Sequence, residues 1–128
     1  MSNIIRISIR RTTMDERDPF TDFCQMAGIC NDADKQNIPM QILQLLQKYE
    51  HLNSTDLSKF TEMSRGSVLN HLENLIESGF VFKYGKDYYL RDKNFSAIVN
   101  LLEKDLLRTI ERMKKYAKQI DSIMNSEI

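Results

Sequence analysis

The sequence has few of the features on which secreted and membrane-embedded proteins depend. It contains two cysteines in 128 residues and no tryptophan, whereas a small secreted domain usually needs several disulfides. No run of about 18 apolar residues is present, so no segment predicts a membrane-spanning helix. Arginines interrupt the apolar residues between positions 4 and 11, which excludes the apolar core of a signal peptide. We therefore expect a cytoplasmic protein.

The two cysteines, Cys24 and Cys30, are six residues apart. If both lay on one helix, six steps of about 100° would place them about 120° apart, on different faces. We therefore expect two reduced, partly buried thiols, and the weaker alternative is a redox or metal-binding role.

The chain also lacks an excess of either charge, since 18 basic residues balance 18 acidic ones. A neutral sum does not favour nucleic-acid binding, whose usual mark is a basic surface. The distribution is less even: residues 15–37 carry six acids and two bases, and residues 93–128 carry seven bases and five acids. Binding to DNA must therefore depend on local charge.

Residues 1–37 form a distinct N-terminal arm. Residues 4–10 alternate isoleucine with arginine or serine, which predicts a half-buried strand. Residues 18–27 predict a short helix that ends at Gly28. Its apolar face consists of Phe20, Phe23, Cys24 and Ala27. A polar stretch over residues 31–37 separates this arm from the rest of the chain.

Three helical patterns follow the arm. The first begins at Pro39, which a first helical turn tolerates, and His51-Leu52-Asn53 interrupts it. A short second helix over about residues 55–60 and a turn over residues 61–63 lead to Ser64, a favourable N-cap for a third helix. The third helix ends at Gly79. The predicted core positions are Ile42, Leu45, Leu46, Tyr49, Leu57, Phe60, Val68, Leu72, Leu75 and Ile76.

Two aromatic-rich segments, residues 80–84 and 88–90, flank a glycine turn at Gly85 and predict a β-hairpin. Asp92 is a candidate cap for a last helix that has no breaker from Lys93 to Met124. The chain is therefore expected to be mainly α with a small β component, a winged helix-turn-helix. The predicted division is residues 1–37 as the strand-and-helix arm, 38–92 as the DNA-binding domain, and 93–128 as a long C-terminal dimerisation helix.

The third helix carries the predicted DNA-reading surface. A recognition helix contacts base edges mainly with its N-terminal residues, and arginine and asparagine pair with guanine and adenine. The candidates opposite or beside the core stripe are Ser64, Arg65, Gly66, Ser67, Asn70, His71 and Asn74. The alternative is an ordinary solvated face, and for His71 a structural role is favoured over a phosphate contact.

The hairpin supplies two further candidates, Lys83 and Lys86. Cations on a wing hold the phosphate backbone and supply affinity rather than sequence information. The alternative is a solvated turn. Of the two neighbouring tyrosines, we expect at least Tyr89 to belong to the core.

A family resemblance lies in Ser64–Leu72, Leu75, Gly79–Val81 and Tyr88–Leu90. These segments resemble the ArsR-type winged-helix repressors, and among them the small archaeal members with a long C-terminal helix. The resemblance covers about residues 38–125 and implies a dimeric DNA-binding regulator. Metal-sensing members carry cysteines in the second helix, or acids and histidines in the last one. In this chain the second helix has no cysteine and the last helix has no histidine, so we expect no metal and no cofactor.

The last helix carries an apolar stripe at alternating spacings of four and three, the seam of a coiled coil. The stripe consists of Leu106, Ile110, Met113, Ala117, Ile120 and Met124. Monomers avoid long exposed apolar patches, so pairing with a second copy is predicted. The alternative, which can coexist with pairing, is that the helix folds back onto the N-terminal arm.

Two function classes remain open at the level of sequence. The favoured one is a homodimeric, sequence-specific regulator that binds double-stranded DNA and represses transcription. The alternative is a winged-helix protein-interaction module in a transcription or remodelling assembly, which the neutral charge favours. No paired carboxylates, nucleophile–base set or phosphate-binding glycine loop stands out, so an enzyme is not expected.

Overall fold

The structure is a computed structural model that describes Ile9, residues 18–30 and residues 37–126. The strand predicted over residues 4–10 lies outside these residues except for Ile9, which is exposed. By their contacts, residues 1–98 and 99–128 form two compact units.

Helix α1 spans Pro19–Met26, close to the predicted range. Asp18 caps it, because its carboxylate accepts hydrogen bonds from the Thr21 backbone N–H and hydroxyl, each at 2.8 Å. These bonds stabilise the charged carboxylate and lower the pKa of Asp18. Cys24 is the buried residue of this helix, and Phe20 is half-exposed.

The expectation of two reduced thiols is wrong. Cys24 and Cys30 form a disulfide, with their Cα atoms 5.3 Å apart. The angular argument assumed one continuous helix, but α1 ends at Met26. Gly28 then takes a φ of 70°, a left-handed conformation that glycine adopts without steric cost. The chain therefore turns back, and Cys30 reaches Cys24.

Helix α2 spans Ile38–Tyr49, strand β1 spans His51–Asn53, and helix α3 spans Ser54–Thr61. Ile42, Leu46 and Leu57 are buried as predicted. Leu45 is half-buried, and two predicted core residues are exposed: Tyr49 and Phe60 are 41% and 49% exposed. Their rings stack on each other with centroids 5.1 Å apart, so they cover one another at the surface rather than entering the core.

Helix α4 spans Arg65–Glu77, and Ser64 is its N-cap as predicted. The Ser64 hydroxyl accepts a hydrogen bond from the Ser67 backbone N–H at 3.1 Å. Val68, Leu72 and Leu75 are buried in the core, and Ile76 is half-buried. A hydrophobic stripe at this spacing holds the helix by one face and leaves the opposite face to solvent.

Strands β2 (Val81–Tyr84) and β3 (Asp87–Leu90) form the predicted hairpin, and β1 completes an antiparallel sheet in the order β1-β3-β2. Strand β1 was not predicted, because its three residues lay in a segment interpreted as a break. Gly85 begins the two-residue turn with a φ of 63°, as a type II′ turn requires at its first central position.

The prediction that Tyr89 belongs to the core is wrong by one residue along the strand. Tyr88 is the buried tyrosine, whereas Tyr89 is half-buried. Tyr88 pairs with Leu52 in β1 and with Lys83 in β2, and paired residues point to the same side of a sheet. Leu52 and Tyr88 are both buried, so this side faces the core.

Helix α5 spans Phe95–Ser126. Its first turn is capped by Asn94, whose side-chain oxygen accepts a hydrogen bond from Ala97 N–H at 2.8 Å. The predicted cap, Asp92, instead accepts from the adjacent Lys93 N–H at 2.7 Å. Among the described residues of α5, only Ile98 is buried.

Helices α2, α3 and α4 with the three-stranded sheet make a winged helix-turn-helix fold, as the sequence predicts. The turn between α3 and α4 is fixed locally: Glu62 takes a φ of 57°, and the Ser58 hydroxyl donates to the Met63 carbonyl at 2.6 Å. At the other end of α4, Phe80 N–H donates to the Leu75 carbonyl at 3.0 Å. Local contacts therefore define the turns at both ends of α4.

Candidate nucleic-acid interface

The first turn of α4 presents the predicted polar residues to solvent. Ser64, Arg65, Gly66 and Asn70 are exposed, and Ser67 is half-buried. The first backbone N–H groups of a helix have no acceptor within the helix. The cap satisfies Ser67, whereas the N–H groups of Arg65 and Gly66 stay at the open end, where the helix dipole attracts anions.

Gly66 keeps this turn free of side-chain bulk. A Cβ placed on Gly66 would meet no atom within 4 Å, so nothing in the fold requires glycine here. Glycine in a helix costs up to about 1 kcal/mol relative to alanine. A glycine that the fold does not need, at a position where backbone N–H groups face outward, is typical of a close approach by another molecule.

Arg65 is anchored by a residue that sequence reasoning missed. Its Nε donates to the Ser54 hydroxyl at 3.1 Å, and Ser54, the first residue of α3, is buried. This bond uses one of the five N–H donors of the guanidinium. The anchor therefore orients the side chain, and the donors on its two terminal nitrogens are not used by this bond. No pattern in the sequence indicates the pairing, because the two residues are joined only when α3 and α4 pack.

The remaining predicted residues of α4 divide by exposure. Asn70 and Asn74 are exposed, one helical turn apart, and His71 is half-buried. Two exposed acids, Glu73 and Glu77, occupy the second half of the helix. Most polar side chains able to contact phosphate or bases therefore lie in the N-terminal half of α4, the part of a recognition helix that contacts base edges.

The two predicted wing lysines lie in different environments. The Nζ of Lys83 lies 5.6 Å from the centroid of the buried Tyr88 ring, within the range of a cation–π contact. Lys86 lies in the exposed turn. Tyr84, which was not predicted as a site residue, is 76% exposed at the start of the turn and adds an aromatic ring to the tip of the wing.

The outer side of the sheet carries an aromatic row that sequence reasoning did not find. Tyr89 pairs with His51 on one side and with Phe82 on the other. The ring centroids are 5.5 and 5.1 Å away, respectively. His51 also lies 3.0 Å from the carboxylate of Asp87. The row is assembled only by the pairing of β1 with β3, and β1 was not predicted.

Residues 99–126 carry the predicted dimerisation stripe. Leu106 and Ile110 are half-buried, and Met113, Ala117, Ile120 and Met124 are exposed. Met113, Ile120 and Met124 are 63%, 57% and 61% exposed. Three further apolar residues beside the stripe, Leu107, Tyr116 and Ile123, are also exposed and broaden it at adjacent heptad positions.

Within residues 18–30 and 37–126, no three His, Cys, Asp or Glu side chains come together as a metal site would require. Both cysteines are engaged in the disulfide. No helix in the same part of the chain is long and apolar enough to cross a membrane.

Comparison with known protein families agrees with this geometry. Residues 36–81 match the family model described as winged helix-turn-helix DNA-binding. The match begins one residue before Asn37, the N-cap of α2, and ends at Val81, the first residue of β2. It therefore includes the whole of α2, α3 and α4. Neither a search of curated proteins nor a search of solved structures gave a match. The family match supports a DNA-binding transcription regulator.

Proposed function

We propose that the protein is a sequence-specific, double-stranded DNA-binding repressor that acts as a homodimer and has no enzymatic activity. The observation that carries the proposal is the exposed N-terminal half of α4, which lies within the segment matched to winged helix-turn-helix DNA-binding domains. The neutral net charge is compatible with DNA binding if a few local cations and backbone donors make the contacts.

In this proposal the N-terminal half of α4 enters the major groove. Arg65 pairs with guanine or phosphate and Asn70 with adenine, the geometries that these side chains favour. Ser64, Ser67, His71 and Asn74 flank them and supply further polar contacts. Gly66 lets the backbone N–H groups approach a phosphate, which the helix dipole attracts. Ser54 positions Arg65 through the 3.1 Å hydrogen bond.

The wing adds affinity that does not depend on sequence. Lys86 in the turn and Lys83 beside it contact the phosphate backbone. The cation–π contact with Tyr88 restricts the Lys83 side chain before DNA arrives, so less conformational entropy is lost when DNA binds.

The distal part of α5 is proposed to pair two copies of the chain. Leu106, Ile110, Met113, Ala117, Ile120 and Met124 follow the heptad spacing of a self-complementary seam, and the last four are exposed in the single chain. A symmetric pair buries every such residue twice. Two recognition helices then engage half-sites about one helical turn of DNA apart.

Repression follows from occupancy: a dimer on a promoter excludes the transcription machinery, as the resemblance to ArsR-type repressors implies.

We propose the cytoplasm as the location, because a regulator must reach the chromosome. The Cys24–Cys30 disulfide opposes this, since disulfides are rare in cytosolic proteins outside hyperthermophiles. Labelling of thiols in intact cells measures the state of the pair.

The experiment is to select bound fragments from the genomic DNA of the source organism and measure their affinity by fluorescence anisotropy. The proposal expects enrichment of fragments that contain an inverted repeat, bound by two chains. Absence of any enriched sequence, with capture of another protein of the transcription apparatus, would instead favour the protein-interaction module.

A further inference from the structure

An apolar cavity of about 180 Å³, open to solvent on one side, lies beside α1 in the first unit. Its walls are the side chains of Pro19, Phe20, Phe23, Met40 and Phe95. Met40 is buried and so forms the floor, whereas Pro19 and Phe20 are exposed and form the rim. The predicted DNA-reading surface does not use any of these residues.

We propose that this cavity is a binding site for a small, uncharged, monocyclic aromatic or similarly sized apolar molecule. Its volume is comparable with the about 150 Å³ of an enclosed apolar cavity that accepts benzene, and its open side lets a ring enter. The five lining residues carry no charged or hydrogen-bonding side chain. A polar group held against these walls would lose its hydration without a hydrogen-bond partner, so the walls favour an apolar ligand surface.

The aromatic geometry favours a ring as the occupant. Phe23 lies edge-to-face against Phe95, with centroids 5.7 Å apart and planes at 88°. It also lies edge-to-face against Phe80, at 5.8 Å and 84°. Aromatic rings gain most in such offset or perpendicular arrangements. A ligand ring in the cavity can therefore extend a cluster that the protein has already ordered.

Phe23 connects the cavity to the candidate DNA-reading helix. Phe80, its fully buried partner, donates its backbone N–H to Leu75 near the end of α4. The Phe80 carbonyl accepts from Arg91 N–H at 2.9 Å, at the base of the hairpin. A ligand that moves Phe23 therefore acts on the junction between α4 and β2. This consequence for regulation rests on the proposed function, whereas the binding site itself does not.

The test is an NMR titration with toluene of the full-length protein, which carries ¹⁵N in its backbone amides and ¹³C in its methionine methyl groups. Met40 should shift in a saturable manner, with half-saturation below about 1 mM, as small ligands in matched sites allow. Met26, which is 48% exposed on α1, serves as the internal control and should not shift. The backbone amide of Phe80 should shift with the same midpoint.

Two comparisons make the result decisive. Met40→Phe fills the cavity and should weaken toluene binding at least about tenfold, whereas the matched variant Met26→Phe should leave it unchanged. Pyridazine, a ring of similar size that is strongly hydrated because of its two ring nitrogens, should produce no saturable shift at the same concentrations in the wild-type protein. This second comparison needs no variant to fold. Linear shifts without saturation, equal shifts at Met26, or equal binding of pyridazine would each overturn the proposal. None of these measurements uses DNA, so their failure is distinct from failure of the proposed regulator function.

Discussion

Substitution of Gly66 by alanine should raise the stability of the fold and lower its affinity for DNA. A Cβ at this position meets nothing within 4 Å, so the new methyl group adds no strain. Alanine is more favourable than glycine in a helix by up to about 1 kcal/mol, and somewhat less in the first turn. We expect a gain of about 0.5–1 kcal/mol, which corresponds to a rise of about 2–4 °C in Tm for a unit of this size.

The same methyl group should obstruct DNA, because it occupies the open end of α4 where the backbone meets phosphate. Loss of one charge-assisted hydrogen bond costs about 1.5 kcal/mol, or about tenfold in Kd. The assays are thermal denaturation by circular dichroism and fluorescence anisotropy with the selected operator.

A second glycine provides the contrast. Gly85 also has open space around a Cβ, but its φ is 63°, so Gly85→Ala should lose about 1 kcal/mol of stability. A Gly66→Ala protein that is more stable and binds DNA as tightly as wild type would refute the assigned role of Gly66. A loss of stability would refute the geometry of the turn.

Four further predictions concern the readout, the anchor, the wing and the dimer. Arg65→Ala with Asn70→Ala should cost about 1–3 kcal/mol of operator-binding free energy per lost base contact. The control pair Asn100→Ala with Arg112→Ala, at exposed positions of α5, should cost nothing. Equal losses of affinity in the two double variants would exclude α4 from the DNA interface. Ser54→Ala should weaken operator binding only in proteins that retain Arg65, so additive losses in a double-mutant cycle would contradict the anchoring role. Lys83→Ala with Lys86→Ala should weaken binding to all duplexes and make the salt dependence of the affinity shallower. The control pair Lys104→Ala with Lys115→Ala on α5 should do neither. If the wing variant kept the wild-type salt dependence, the wing would not contact DNA. Ile110→Asp with Ile120→Asp should give monomers in sedimentation and abolish most operator affinity, since each buried isoleucine contributes about 1.5–3 kcal/mol. The control protein with Lys104→Asp and Lys115→Asp should remain dimeric. If the isoleucine variant were still a dimer, the pairing surface would lie elsewhere, and residues 4–10 would be the first alternative.

The helix-turn-helix was predictable from sequence because its determinants are local. The cap at Ser64 needs only the three following residues, and the stripe of Val68, Leu72 and Leu75 repeats at helical spacing. The hairpin turn was also predictable from a local feature. A tight two-residue turn requires a positive φ, which Gly85 adopts without steric cost.

The features that were missed depend on contacts between distant parts of the chain. Strand β1 has three residues and is defined only by its pairing with β3, and without it the facing of Tyr88 and Tyr89 could not be settled. The disulfide depends on a turn at Gly28 that ends α1 before Cys30. The Ser54–Arg65 bond depends on the packing of α3 against α4. Tyr49 and Phe60 are exposed and stack on each other, a contact that apolar periodicity does not encode.

The most direct test of the central claim is a competition between the selected operator and a scrambled duplex of the same composition, measured by anisotropy at several salt concentrations. The account predicts that wild-type protein prefers the operator by about 10³ or more, with affinity for both duplexes falling as salt rises. The Arg65→Ala, Asn70→Ala protein should lose most of that preference while it keeps the salt dependence. Equal affinity of the wild-type protein for the two duplexes at every salt concentration would contradict the claim that α4 reads DNA sequence.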